Sequence, residues 1–229
     1  MGGAFMAVAR DPKQTLQGFT LGDLAQYTRE GSFGESDSPD FRVFYAGRDN
    51  VHGVLKHLLS RCSRVLKMNM FGYDDDELNA IIEQLVLSEH VFVQGTLDKS
   101  QSGVSHEKAI LDAWKPEMRA SFAIGEAATH QISHTKGGTI DGVVAWEGST
   151  NWSNSGEGTG IGLHGQSDAK GFKAQNNTLA VYVNPVEILK FSTELDEEHT
   201  TVLRQEKESS SENGRKGGRS QRAAAAAGA

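Results

Sequence analysis

From residue 41 onward the apolar positions of the chain fall into two alternating rhythms. FRVFYAG (41–47) is rich in aromatic and β-branched residues and reads as a strand. DNVHGVLKHLLSRC (49–62) follows at helical spacing. Val54, Leu55, Leu58 and Leu59 share one face, and Asp49 or Asn50 can cap its start. RVLKMNMFG (64–72) is a second strand, with Val65, Met68 and Met70 as apolar side chains and a break at Gly72. DDDELNAIIEQLVLS (74–88) is a helix whose acidic first turn suits the positive end of the helix dipole. A strand in HVFVQGTLD (90–98), a helix in VSHEKAILDAWKP (104–116) that ends near Pro116, and a short strand in RASFAIG (119–125) continue the series. This alternation predicts an α/β domain with a mixed, largely parallel sheet flanked by helices.

The second half has a different texture. THQISHTKGGTIDG (129–142) and VVAWEGS (143–149) form two strands of a hairpin, with Gly137, Gly138 and Gly142 available for turns. Residues 151–175 are glycine-rich with few apolar anchors, and a loop that long inside a compact domain is usually functional or mobile. NTLAVYV (177–183) resumes as a strand. Asn184 then caps a helix that has Pro185 in its first position and extends to Lys207. The expected organisation is an N-terminal extension and linker over 1–40, a catalytic domain over 41–207, and a disordered tail over 208–229. The tail is polar, alanine-rich at its end, and locally basic at Arg215, Lys216, Arg219 and Arg222.

Composition narrows the class. The 229 residues are 37% hydrophobic and 23% charged, which suits a globular domain, and the net charge is -7. A protein that coats nucleic acid through bulk charge is disfavoured, but a local basic cleft is not. Cys62 is the sole cysteine, so no intrachain disulfide forms, and a reducing compartment is expected. With no signal-peptide pattern and no long apolar span, the expected location is the cytoplasm.

The candidate chemistry lies in HTKGGTIDGVVAWEGSTN (134–151). Phosphodiester hydrolysis without a metal needs a nucleophile, positive charge on the phosphoryl oxygens and a proton donor for the leaving group. Residues i and i+2 of a strand point to one face, so His134 and Lys136 project together. Asp141 lies across a glycine-containing bend. Gly148, Ser149 and Asn151 close the next strand with backbone, hydroxyl and amide donors suited to an anionic phosphoryl group.

His134-x-Lys136-x4-Asp141, followed by Gly148-Ser149-x-Asn151, resembles the HKD motif of the phospholipase D superfamily. VFVQGTLDKSQS (91–102) also resembles the strand and loop ahead of the motif in nuclease-like members. The resemblance implies a phospholipase D-like fold from about residue 41 to 207. It also implies attack by His134 on phosphorus, phosphoryl binding by Lys136, Ser149 and Asn151, an orienting or charge-balancing Asp141, and no metal or cofactor. A second HKD histidine would serve as acid and then base. The chain holds one complete motif, because in SHEKAILD (105–112) Asp112 falls one residue early. The resemblance therefore implies a homodimer in which each chain supplies one His134. Family members often carry Glu-Asn at the strand after the long loop. Here Asn176 and Asn177 stand there, so Asn177 keeps the asparagine, and Asp141, Glu157 or Asp168 is the candidate replacement for the acid.

Other patterns have simpler readings. His130 and His134 lack the glutamate of a helical zinc motif. Asp74, Asp75 and Asp76 belong at a helix N-terminus, and Trp146 and Trp152 belong in a core. The expected function is a metal-independent phosphodiesterase, an endonuclease on DNA or RNA with no stable membrane association. The alternatives are a phospholipid headgroup hydrolase and a weakly active nucleic-acid-binding module.

Overall fold

The computed structural model describes the backbone of residues 15–103, 105–129, 131–159 and 173–227, and side chains up to residue 209. Seven strands form one sheet: β1 (Phe41–Tyr45), β2 (Val65–Met70), β3 (Phe92–Asp98), β4 (Phe122–Gly125), β5 (Lys136–Ile140), β6 (Val144–Gly148) and β7 (Thr178–Tyr182). Their order is β1-β7-β6-β5-β2-β3-β4. The helices are α1 (Val51–Leu59), α2 (Asp76–Val86), α3 (Ser105–Ala113), α4 (Pro116–Ser121), α5 (Asn154–Glu157) and α6 (Pro185–Ala227).

The sheet is mixed, and its parallel part is smaller than the sequence suggests. Only β2–β3 and β3–β4 pair parallel; β1–β7, β7–β6, β6–β5 and β5–β2 are antiparallel. Helical crossovers give parallel neighbours, and these connect β2 to β3 and β3 to β4. β5 and β6 are joined by a tight turn and must run antiparallel. β1 is followed by a helix but lies at the far edge beside β7.

Local chemistry explains the element ends. Asn50 caps α1 by accepting from Gly53 N at 2.8 Å, while Asp49 is buried and accepts from Arg29 N and Tyr45 N. Asp75 caps α2 by accepting from Leu78 N at 2.7 Å. The β5–β6 turn has Asp141 at φ 56° and Gly142 at φ 70°, with Val143 N donating to Ile140 O. Two successive positive φ values are what an Asp-Gly hairpin turn requires. Gly137 and Gly138 lie inside β5 and not in a turn. A Cβ at Gly138 would stand 2.3 Å from the Trp146 ring, and one at Gly137 would stand 2.5 Å from the Trp146 carbonyl.

The two faces of the sheet differ in character. Leu66, Met68 and Met70 of β2 are buried with Val54, Leu55 and Leu58 of α1 and Leu78, Ile82 and Leu85 of α2. The alternate residues Lys67 and Asn69 reach α6, as do Gln94 and Thr96 of β3. α6 lies across β2 to β6, meeting them through Ile188, Leu195 and Val202 and through these polar pairs.

Two expected boundaries change. Leu16, Leu21 and Leu24 are buried in the main core, and a short 3-10 helix spans Leu21–Tyr27. The described part of 1–40 is thus built into the domain and is not a linker. At the other end, α6 runs as backbone helix to Ala227 instead of giving way to a disordered tail at 208. No proline interrupts residues 208–227, and its closing alanines have the highest helix propensity of any residue.

Candidate active site

The register brings five chain segments to one end of the sheet. Met70 is opposite Lys136 and Gly137 is opposite Glu147, so the exit of β2, the entry of β5 and the exit of β6 coincide. Gly148 is opposite Leu179, which adds the entry of β7. β3 runs parallel to β2 and delivers Asp98 to the same end. Ligands of open α/β sheets bind at this kind of edge, beyond the carboxyl ends of parallel strands.

Phe71 and Gly72, just past β2, are the platform. The exposed His134 ring meets Phe71 edge-on, with centroids 4.5 Å apart. Lys136 Nζ lies 4.7 Å from the centre of the same ring and donates to the His134 carbonyl at 2.8 Å. Asn151 packs on Gly72, where a Cβ would meet its side chain at 3.2 Å. The backbone holds this contact: Trp152 N donates to Gly72 O at 3.0 Å, and Asp74 N to Trp152 O at 2.6 Å. Asn151 Oδ1 is buried with no hydrogen-bond partner among the described residues.

Lys136 is 3% exposed, and no carboxylate of the described residues forms a salt bridge with it. Burial pushes its pKa down to about 8, and the negative charge of nearby Asp98 offsets part of that fall. A buried ammonium without a counter-ion favours binding of an anion.

The other motif residues hold the frame. Ser149 Oγ accepts from Thr178 N at 2.9 Å, and Ser149 N donates to Thr178 O at 3.0 Å. A Cβ on Gly148 would stand 2.1 Å from the Thr178 carbonyl, so this close approach of β6 to β7 needs glycine. Asn177 Nδ2 donates to Gly156 O at 2.9 Å and to Gln175 Oε1 at 3.0 Å, bracing α5. Asp141 is at the far end of β5, five residues or about 16 Å along the strand from Lys136. Its carboxylate accepts from Ser63 N, Arg64 N, Val65 N and Ser63 Oγ at 2.7–2.9 Å. Burial alone would raise its pKa, but the bonds from Val65 and Ser63 outweigh that and hold it below the usual carboxylate value. The structure separates Asp141 from His134 and gives it a tethering position. Its inclusion with the reacting residues is not what the geometry supports.

Of the replacement acids, Glu157 is bonded to His52 at 2.5 Å, Asp141 is engaged at the other end of the hairpin, and Asp168 lies outside the described residues, as does His130. Trp146 and Trp152 are buried in the core. In α3, Lys108 pairs with Asp112 along the helix.

Several contributors have no motif signature. Asp98 Oδ2 accepts from Ser133 N at 2.5 Å, fixing the residue before His134. Ser133 Oγ donates to Glu198 Oε2 at 2.9 Å and accepts from Asn69 Nδ2 at 2.9 Å, and Asn69 also donates to Glu198. Glu198 does carry a readable signal. It lies three residues after Leu195 and four before Val202, so an acid occupies the apolar stripe of α6.

No family model matches the sequence, and no curated protein matches it. The fold, however, resembles solved structures. A phospholipase D family member, Nuc from Salmonella typhimurium, superposes with a TM-score of 0.55 at 12% identity, over 70% of this chain and 94% of its own. NucT from Helicobacter pylori superposes with a TM-score of 0.52 at 16% identity, over 70% of this chain and 96% of its own. The seven-stranded mixed sheet, with the candidate site at its β2–β5–β6–β7 end, therefore has a phospholipase D-like fold.

Proposed function

We propose that the chain is a metal-independent phosphodiesterase that cleaves nucleic acid as an endonuclease, in a site completed by a second copy. The observation that carries this reading is the exposed His134 imidazole beside the buried, uncompensated Lys136, both resting on Phe71. His134 attacks phosphorus through a ring nitrogen as the P–O bond to the leaving oxygen breaks. The partner's His134 gives that oxygen its proton. It then takes a proton from water, which attacks the phosphohistidine and releases a terminal phosphate. Lys136 and the Asn151 amide hold the phosphoryl oxygens. Asp98 and Ser133 position the backbone of His134, and Asp141, Ser149, Gly148 and Asn177 keep the strands in place.

Two features support a second copy. Among the described residues one histidine stands at the site, and Ile132 is 54% exposed two residues before it. Among the described residues no helix is long and apolar enough to cross a membrane.

The test is cleavage of labelled single- and double-stranded DNA and RNA in excess EDTA by wild type and His134→Ala, with sedimentation of the same samples. Cleavage by a wild-type dimer, with at least a 1,000-fold loss in the variant, is expected, because the nucleophile is removed. Equal cleavage by the variant, or full activity in a monomer, would overturn the reading. Choline release from phosphatidylcholine vesicles without nucleic-acid cleavage would replace the substrate.

A further inference from the structure

A second polar cluster lies behind the sheet edge, where the N-termini of α1 and α2 meet α5. His52 Nδ1 lies 2.5 Å from Glu157 Oε2 and 3.6 Å from Asp75 Oδ2. One ligand-type atom from each of the three lies within 4.8 Å of the others. We propose that His52, Asp75 and Glu157 form a divalent-cation site, with zinc as the fitting ion and water as its fourth ligand.

The donors suit zinc. Tetrahedral sites take imidazole nitrogen and carboxylate oxygen at about 2.0–2.2 Å, which places neighbouring donor atoms about 3.4 Å apart. His52 Nδ1 and Asp75 Oδ2 have that spacing already, and Glu157 Oε2 needs to withdraw by about 1 Å from where a shared proton holds it. The outer arrangement also matches. His52 Nε2 bonds Glu77 Oε2 at 2.9 Å, and Glu77 in turn pairs with Lys56. A histidine that ligates metal through one nitrogen almost always gives the other to a carboxylate or carbonyl, which fixes its tautomer. Asp75 is held in place because its Oδ1 caps α2, leaving Oδ2 for the site.

An independent observation points to a missing ligand. Glu157 is 1% exposed, and its Oε1 is buried with no hydrogen-bond partner among the described residues. A buried carboxylate with an idle oxygen is costly, and a bound cation satisfies it. With His52 neutral, Asp75 and Glu157 carry two negative charges that a dication balances. The cluster ties Glu157 of α5, six residues past Asn151, to α1 and α2. The cation would therefore brace the back of the site and take no part in phosphoryl transfer.

The experiment uses the full chain, stripped with EDTA, dialysed, and titrated with zinc chloride by calorimetry, with melting followed in parallel. The expected result is one zinc per chain and a higher melting temperature with zinc than with EDTA. Glu157→Gln and Asp75→Asn keep shape and cap, and each should weaken zinc binding at least 100-fold. His106→Ala and His134→Ala should bind as wild type does. X-ray absorption of the zinc-loaded wild type should show nitrogen and oxygen neighbours with a single imidazole. Binding weaker than millimolar, binding undiminished in both acid variants, or two imidazoles per zinc would overturn the site. Failure here is distinguishable from failure of the proposed hydrolysis: the zinc measurements need no turnover, and metal-stripped protein held well below its melting temperature cleaves equally well whether or not the zinc site is real.

Discussion

Lys136 shows how burial sets a residue's working range. Its pKa near 8 means that the free protein begins to lose the ammonium just above neutral pH. The pH profile of kcat/KM reports ionisations of the free enzyme, so activity should fall above about pH 8. Lys136→Arg, which stays charged, should remove that limb even if its overall rate is lower. A profile that stays flat to pH 9.5 in wild type would mean the lysine charge is not used. Asp141 gives the opposite kind of expectation. It accepts four hydrogen bonds at a positive φ, so Asp141→Ala should destabilise the fold by roughly 2–4 kcal/mol in urea unfolding. The fraction still folded should keep its kcat. A 1,000-fold loss of kcat in folded protein would give Asp141 a chemical role instead. Within the proposed site, the i, i+2 spacing of His134 and Lys136 anticipates that both side chains meet the Phe71 ring, although the strand itself begins only at Lys136. Phe71, Asp98 and Ser133 could not be anticipated, since their contribution is a meeting through space of segments distant in the chain, and Glu198 shows itself only as an acid in the apolar stripe of α6.

At the level of elements, the strands and α1, α2 and α3 follow from apolar spacing and caps. The order of the strands does not. The alternation ahead of β4 predicts a mixed, largely parallel sheet, yet β1 is separated from β2 by β7, β6 and β5. Nothing local in FRVFY tells which partner will take the edge. The end of α6 is not legible in the sequence because its apolar stripe stops at Val202, while helical backbone needs no stripe to continue. Gln205 and Glu206 of α6 hydrogen-bond to the end of β4 and the residues after it, at Ile124, Glu126 and Ala127. Removing residues from 203 onward forfeits these bonds and should cost roughly 2–3 kcal/mol. A thermal melt of that truncation checks this, and an unchanged melting temperature would show that the bonds add nothing to the fold.

For the whole molecule, His57 links folding to acidity. It is buried under the N-terminal segment, with Tyr27 OH 3.1 Å from its Nδ1. Burial, helped by the positive charge of Arg61, lowers its pKa to about 4 against the opposing field of Asp23. Between pH 6.5 and 4 the unfolded chain binds a proton there that the folded chain does not, so this contribution to stability falls as pH falls. The advantage of wild type over His57→Gln should shrink by roughly 3 kcal/mol from pH 7.5 to pH 4. Comparing the pair isolates His57 from the acids that titrate in the same range. A constant difference across that interval would show that the histidine protonates freely in the native state.

The seam between α6 and the sheet has a further consequence. Greasy contacts tolerate sliding, but directional pairs such as Lys67–Asp196, Thr96–His199 and Asn69–Glu198 fit in only one setting. A slip of one helical turn, about 5.4 Å, would break all of them together. The seam thus works as a vernier. Through Glu198 and Ser133 it transfers the setting of the last helix to the peptide that carries His134, so that histidine takes its coordinates from a part of the chain made long after it.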